Sequence, residues 1–296
     1  MYVVQHFSEC TVETTPSELV KDIGNLASLP DVYYHINQLV EQPNSTVDDI
    51  AKAVARDPAF TLRLLRVANS ALYGLSSHVD TPAKAVSIIG TQQIRSLALS
   101  MSVTHAFAGL PNDLVSMDNF WRHSLLCALV ARLLAKQMRR CDPEAMFTAG
   151  LLHDIGELVI FNRLPDKAKE SLLHVLDSGD ELPVNLAEQE AMGFDHAAVG
   201  GELAKTWNLP PLLQECIAFH HDIKAAKQYP REVALIHIAN ILAQMAEVDT
   251  LDSADVPPID PQAWEITGLQ QDLEEDAVRE AQASIAEVEA LFVGNS

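Results

Sequence analysis

A small polar residue followed directly by proline recurs along this chain, at Asp57-Pro58, Thr81-Pro82 and Asp142-Pro143. Each pair sets an N-capping side chain before a proline in the first helical turn, where the missing N–H costs no intrahelical hydrogen bond. Thr46, with Asp49 three residues on, resembles a capping box. Between these starts lie short helical patterns, one with Val32, Ile36, Leu39 and Val40 on one face and another carrying Phe60, Leu62, Leu64, Leu65 and Val67. No alternating strand pattern with hairpin turns accompanies them. The chain is therefore read as all-α.

Helices are expected at about 31–41, 47–55, 58–69, 82–89 and 91–107, the last two split by Gly90. The polar stretch 108–118 marks a boundary between two helical lobes. Beyond it, helices are expected at about 119–138, 143–154, 157–162, 165–177, 182–191, 195–207, 210–221 and 231–247. Residues 249–261 read as a linker, and a last helix covers about 271–292. The segments are thus an arm (1–15), an N-terminal lobe (16–110), a second lobe (111–248), and an acidic linker with a C-terminal helix (249–296).

At 296 residues and 48% hydrophobic, the chain can bury a substantial core. Its net charge of −21 argues against nucleic acid or an anionic membrane as partner, since both need clustered Lys and Arg. Residues 247–296 carry thirteen acids and one base, Arg279. The apolar stripe of the last helix (Leu273, Ala277, Ala281, Ile285, Val288, Phe292) then packs on the body or on a partner, and its acidic face is solvated. The four cysteines form no CxxC pair, and Cys127 and Cys216 sit in apolar helical surroundings. That usage fits a reducing cytoplasm. No signal peptide and no membrane-length apolar run is visible.

Gly150-Leu151-Leu152-His153-Asp154-Ile155-Gly156-Glu157 reads as the end of an apolar helix carrying an adjacent imidazole and carboxylate, with Gly156 as its stop. That pair suits a borderline ion such as iron, manganese or zinc. Four more histidines of the second lobe, His123, His196, His220 and His221, lie on or beside apolar helical faces. A bundle could turn all five inward onto one site. A single such histidine is more often a hydrogen-bonded core residue, and that reading stays open beside the shared-site one. His237, one turn before Asn240, is a further residue to watch. Arg132, Lys136, Arg139 and Arg140 read as a solvated face. Arg63, Arg66 and Arg95 are the bases singled out in the first lobe.

The order His123, His153-Asp154, and a late helix bearing residue 240 resembles the HD superfamily of metal-dependent phosphohydrolases. The likeness is closer to its HDOD branch, over about residues 19–245. It rests on Arg56-Asp57-Pro58, Leu64-Leu65-Arg66-Val67-Ala68-Asn69-Ser70, Trp121-Arg122-His123-Ser124, the Gly150–Gly156 stretch, Asp195-His196-Ala197-Ala198-Val199-Gly200 and His220-His221. The resemblance implies a two-lobed helical fold and a bacterial regulatory module acting through a protein partner. A homo-oligomer is a further expectation. It also implies a divalent-metal site drawn from His123, His153, Asp154, His196, His220, His221 and Asn240. Asn240 stands where the family's pattern has an Asp, so that position lacks an anionic ligand. A related branch, the HD-GYP phosphodiesterases, has glycines between His-His and Tyr-Pro, and His220 to Pro230 keeps the ends and loses the glycines. The alternative reading is a metal-dependent phosphohydrolase acting on a nucleotide or phosphoester. In it Asp154 would be the catalytic carboxylate and Arg122 the phosphate contact.

Overall fold

The computed structural model describes residues 14–21, 29–76, 78–107, 114–178, 182–248 and 256–292. Every regular element among them is an α-helix. The first group is α1 (Pro16–Lys21), α2 (Asp31–Glu41), α3 (Val47–Ala55), α4 (Pro58–Ala68), α5 (Pro82–Ile89) and α6 (Thr91–Phe107). The second is α7 (Met117–Ala135), α8 (Pro143–Leu152), α9 (Ile155–Arg163), α10 (Pro165–Asp177), α11 (Val184–Met192), α12 (His196–Thr206), α13 (Pro211–Phe219) and α14 (Pro230–Glu247). The chain closes with α15 (Pro261–Thr267) and α16 (Leu273–Phe292). No helix of the described residues is long and apolar enough to cross a membrane.

The expected caps form. Asp57 accepts from the Phe60 amide, Thr81 from Lys84 and Asp142 from Glu144, and Thr46 closes a full capping box with Asp49. In the first lobe α3 packs on α2 and α5, and α2 on α6. In the second, α7 is the central rod, covered by α8, α14 and α16. α1 lies against α12 and α9, so the start of the chain reaches across to second-lobe helices. Most of the arm (1–13), residues 108–113 of the polar stretch at the lobe boundary, and residues 249–255 of the linker lie outside the described residues.

Arg132 does not belong to a solvated face. Its Nε donates to Glu144 at 2.6 Å, its Nη1 to the Leu72 carbonyl at 2.7 Å, and Tyr73 Oη donates to Glu144 at 2.7 Å. Periodicity placed the guanidinium opposite the core of its own lobe, and the first lobe occupies that side. The stretch 70–74 thereby clips the lobes together beside the α6–α8 contact. The C-terminal helix α16 packs back on the body. It buries Val278, Ala281, Ile285, Val288 and Phe292, and Glu287 accepts the Ala71 amide of the first lobe.

Glycines set how closely the site-bearing helices approach. A Cβ on Gly150 would meet the Ala128 backbone at 2.8 Å, so α8 lies directly on α7. A Cβ on Gly156 would stand 2.0 Å from the His196 carbonyl oxygen. Gly156 is therefore not a helix stop. It lies inside α9, and its bareness brings α9 onto the start of α12.

Candidate metal centre

α8 ends at Leu152, so His153 and Asp154 occupy the sharp turn into α9 rather than one helix. The turn points both side chains into the lobe. His123 comes from α7, His196 opens α12, His220 caps α13 with His221 beside it, and Asn240 comes from α14. All seven residues meet at one place.

Asp154 is the hinge of the cluster. Its Oδ2 lies 3.0 Å from His153 Nε2 and 3.4 Å from His123 Nε2. Its Oδ1 lies 3.3 Å from His220 Nε2 and 3.4 Å from His196 Nε2. One carboxylate thus faces two sets of imidazoles. His123, His153 and Asp154 form one group with metal-ligand spacing, and Asp154, His196, His220 and His221 form another. A third group, Glu157, Glu188 and His196, shares its histidine with the second.

The outer ring nitrogens are already engaged. His153 Nδ1 donates to the Gly150 carbonyl at 2.8 Å, and His220 Nδ1 to the Ile217 carbonyl at 2.9 Å. His196 Nδ1 donates to Glu188 at 2.7 Å, and the His196 amide donates to the same oxygen at 2.8 Å. Such bonds fix the tautomer and aim the remaining Nε2 lone pair inward, the usual support of a metal-bound histidine. His153 Nε2, His220 Nε2 and Asp154 Oδ1 are buried without any hydrogen-bond partner. Buried polar atoms left unpaired are costly, and a cation in the group that each imidazole belongs to would satisfy His153 on one side of Asp154 or His220 on the other. The donor set fits a divalent metal.

The imidazoles of the cluster differ in charge state. Burial pushes His220 down to about 4, and burial with the neighbouring His220 holds His221 well below the usual histidine value, so both present neutral lone pairs. At His123 burial opposes the charged ring, but the hydrogen bond to Glu247 and the nearby Asp154 raise its pKa. Its Nδ1 meets Glu247 at 3.1 Å and its Nε2 meets Asn240 Oδ1 at 3.0 Å. The Asn240 side chain thus partners the ring nitrogen that faces Asp154. Burial also opposes charge on His153 and His196, and Asp154 for the first and Glu188 with Asp154 for the second hold them well above the usual value. Burial opposes the Asp154 anion too, yet His153 and the other imidazoles keep its pKa well below the usual carboxylate range. Burial and then Asp154 push Glu157 up to about 8.

The cluster forms the floor of a cleft of about 820 Å³. Phe120, Val175, Leu182, Val184, Leu186 and Ile241 supply apolar wall, and Asn119, Asn185 and Gln244 supply neutral polar groups. Glu157 and Glu247 line it, and none of its described lining residues is Lys or Arg. Arg122 does not reach it. Its guanidinium lies 2.9 Å from Glu289 of α16.

Three carboxylates escaped the sequence reading: Glu157, Glu188 and Glu247. Glu188 carried the clearest signal, an acid beside Ala187 on the buried side of α11, eight residues before His196. His237 is structural, donating to the His220 carbonyl at 2.9 Å and accepting the Asp260 amide at 3.1 Å. The stretch after His221 is tied down by Glu215, whose carboxylate accepts the amides of Lys227, Gln228 and Tyr229.

An all-helical two-lobed chain with an aspartate hinged between histidine sets defines the class of HD-type helical proteins. Residues 26–223 match the HDOD domain family, and the chain belongs to that family. Its fold is similar to that of an HDOD domain protein of unknown function from Geobacter sulfurreducens, at 25% identity and a TM-score of 0.72, covering 94% of this chain and 98% of that one. It is similar also to a candidate phosphohydrolase from Shewanella amazonensis SB2B, at 27% identity and a TM-score of 0.68, covering 93% and 96%. A candidate signal transduction protein from Marinobacter aquaeolei VT8, 20% identical, shares the fold with a TM-score of 0.71 over 90% of this chain and 60% of that one. An uncharacterized protein of Treponema pallidum (strain Nichols) is 23% identical over 252 residues, which is 84% of this chain and 48% of that protein. The chain thus spans about half the length of this curated relative.

Proposed function

We propose that this chain is a regulatory module that works through a protein partner in a signalling pathway, holds one divalent ion, and turns over no phosphoester. The observation that carries the reading is the cleft itself, whose described lining residues include no Lys or Arg to hold a phosphate. Phosphoryl and phosphodiester chemistry draws its rate from cationic groups aimed at the developing charge. Here Glu157 and Glu247 add carboxylates instead, and Asn240 blunts the position beside His123.

The ion would be held by Asp154, His196, His220 and His221, where burial keeps two of the imidazoles neutral. Three nitrogens and a carboxylate suit iron, manganese or zinc. When bound, the metal supplies Lewis acidity and a more acidic water. The chain's own residues fix the ring orientations, through Gly150, Ile217 and Glu188, and shield the site from bulk solvent. The three described cysteines are free thiols, which suits a cytoplasmic setting.

The second reading, a metal-dependent phosphohydrolase, is favoured by the two faces of Asp154, since a bridging carboxylate also serves two-metal hydrolysis. Metal analysis of the purified chain with turnover of bis-p-nitrophenyl phosphate separates the two. The proposal expects about one ion per chain and no turnover. Turnover that Asp154→Ala abolishes overturns it. Sedimentation distinguishes a second copy of this chain from a different protein as the partner.

A further inference from the structure

A second, smaller cavity of about 130 Å³ lies between the lobes, away from the histidine cluster. Its walls come from four helices and the turn before one of them: Tyr33 of α2, Arg95, Ser96 and Leu99 of α6, Ala145 of α8, and Pro210, Leu212 and Leu213 at the start of α13. Tyr33 is only 1% exposed, yet its hydroxyl makes no hydrogen bond among the described residues. Arg95, half-buried on the same wall, sets its positive charge near the Tyr33 hydroxyl. Tyr33 lines the cavity, so its hydroxyl offers a donor that an acceptor bound there can take up. Burial pushes the Tyr33 hydroxyl up to about 12, so it remains a donor at neutral pH.

The start of α13 adds to the same field. Pro210 caps it with no side-chain hydrogen bond, and Pro211 lacks an N–H. The first-turn amides of Leu212 and Leu213 are therefore uncapped, at the positive end of the helix. Hydroxyl, guanidinium and helix N-terminus all favour an anion. The rest of the wall, Leu99, Ala145 and the two leucines, favours hydrocarbon. The volume equals that of about four waters of liquid, too small for a nucleotide.

We propose that this interlobe cavity binds a short-chain carboxylate. The carboxylate lies between Tyr33 Oη and Arg95, and its alkyl body rests on Leu99, Leu212 and Leu213. Because the walls come from both lobes, the occupied cavity stiffens their junction, which gives a regulatory module an input separate from the metal cleft. The inference does not depend on whether the cleft hydrolyses phosphoesters.

The test is calorimetric titration of the full-length chain with butyrate, butylamine and inorganic phosphate at constant ionic strength, with thermal melts alongside. Butyrate should bind near one per chain and raise the melting temperature, while the amine and phosphate do not. Arg95→Gln should weaken butyrate about a hundredfold and Tyr33→Phe about tenfold, with metal content unchanged. Arg95→Lys should recover part of the loss, which guards against a folding defect. Absence of butyrate binding to the wild type overturns the proposal. So does butyrate affinity unchanged in Arg95→Gln, or phosphate binding as tightly as butyrate. Failure of the metal reading appears instead as missing metal or as phosphodiester turnover, neither of which these titrations measure.

Discussion

Glu188 is the residue that turns a histidine cluster into a prepared metal site. Its buried carboxylate accepts hydrogen bonds from both the backbone amide and the ring Nδ1 of His196, which sets that ring's tautomer and direction. Glu188→Gln should keep the fold and lower metal affinity about 10–100-fold, as read by competition with a chromogenic chelator. Glu157 makes a different prediction, about pH. Its pKa rises from 4.5 to about 8 on folding. Between those values the folded chain keeps a proton that the unfolded chain has released. Its contribution to stability is therefore full below about pH 4.5 and is lost as pH rises toward 8. Melts of metal-free protein in chelator should show the wild type losing stability more steeply across this window than Glu157→Gln. Equal slopes would rule the carboxyl out as the cause. His153-Asp154, His196 and His220-His221 were legible as candidates from residue type and setting. Glu188 and Glu247 were not, because an acid on a helix reads as solvent-facing until the neighbouring helix is placed.

At the scale of elements, close backbone approach governs the site. α9 and α12 meet where Gly156 has no side chain, and that contact brings Asp154 and His196 together. Gly156→Ala should cost about 3 kcal/mol or more, because the clash is with backbone that cannot rotate away. Gly193 is the control: its φ is +82° and nothing lies within 4 Å of a Cβ there, so Gly193→Ala should cost only about 1 kcal/mol. Urea unfolding of both variants checks the ordering, and comparable losses would contradict it. Helix starts were the most readable feature, since Asp-Pro and Thr-Pro carry capping and φ restriction in two adjacent residues. The same signal stands at Asp260-Pro261 and opens α15, which the linker reading of 249–261 passed over. Seven residues are too few to display a helical period, so the start signal stood without its pattern.

Among the described residues the lobes are joined by the Arg132–Glu144–Tyr73 clip, the α6–α8 contact, α1 against α12 and α9, and α16 laid along α7 with Glu287 on the Ala71 amide. The buried Val278, Ile285, Val288 and Phe292 of α16 are each worth about 1.5–3 kcal/mol when removed from water. Deleting residues 256–296 should therefore lower the unfolding free energy by several kcal/mol, beyond any loss of partner capture. A truncated chain with unchanged denaturant midpoint would show that α16 is an appendage. The sequence alone determined the helical class, most helix starts, the family, and the residue types of a metal cluster, because caps, prolines and apolar periods act over a few residues. Which imidazoles keep free lone pairs, which carboxylates orient them, and what Arg122, Arg132 and Arg95 face were decided only by the tertiary structure. Those properties depend on burial and on partners far along the chain, and neither exists until the helices have packed.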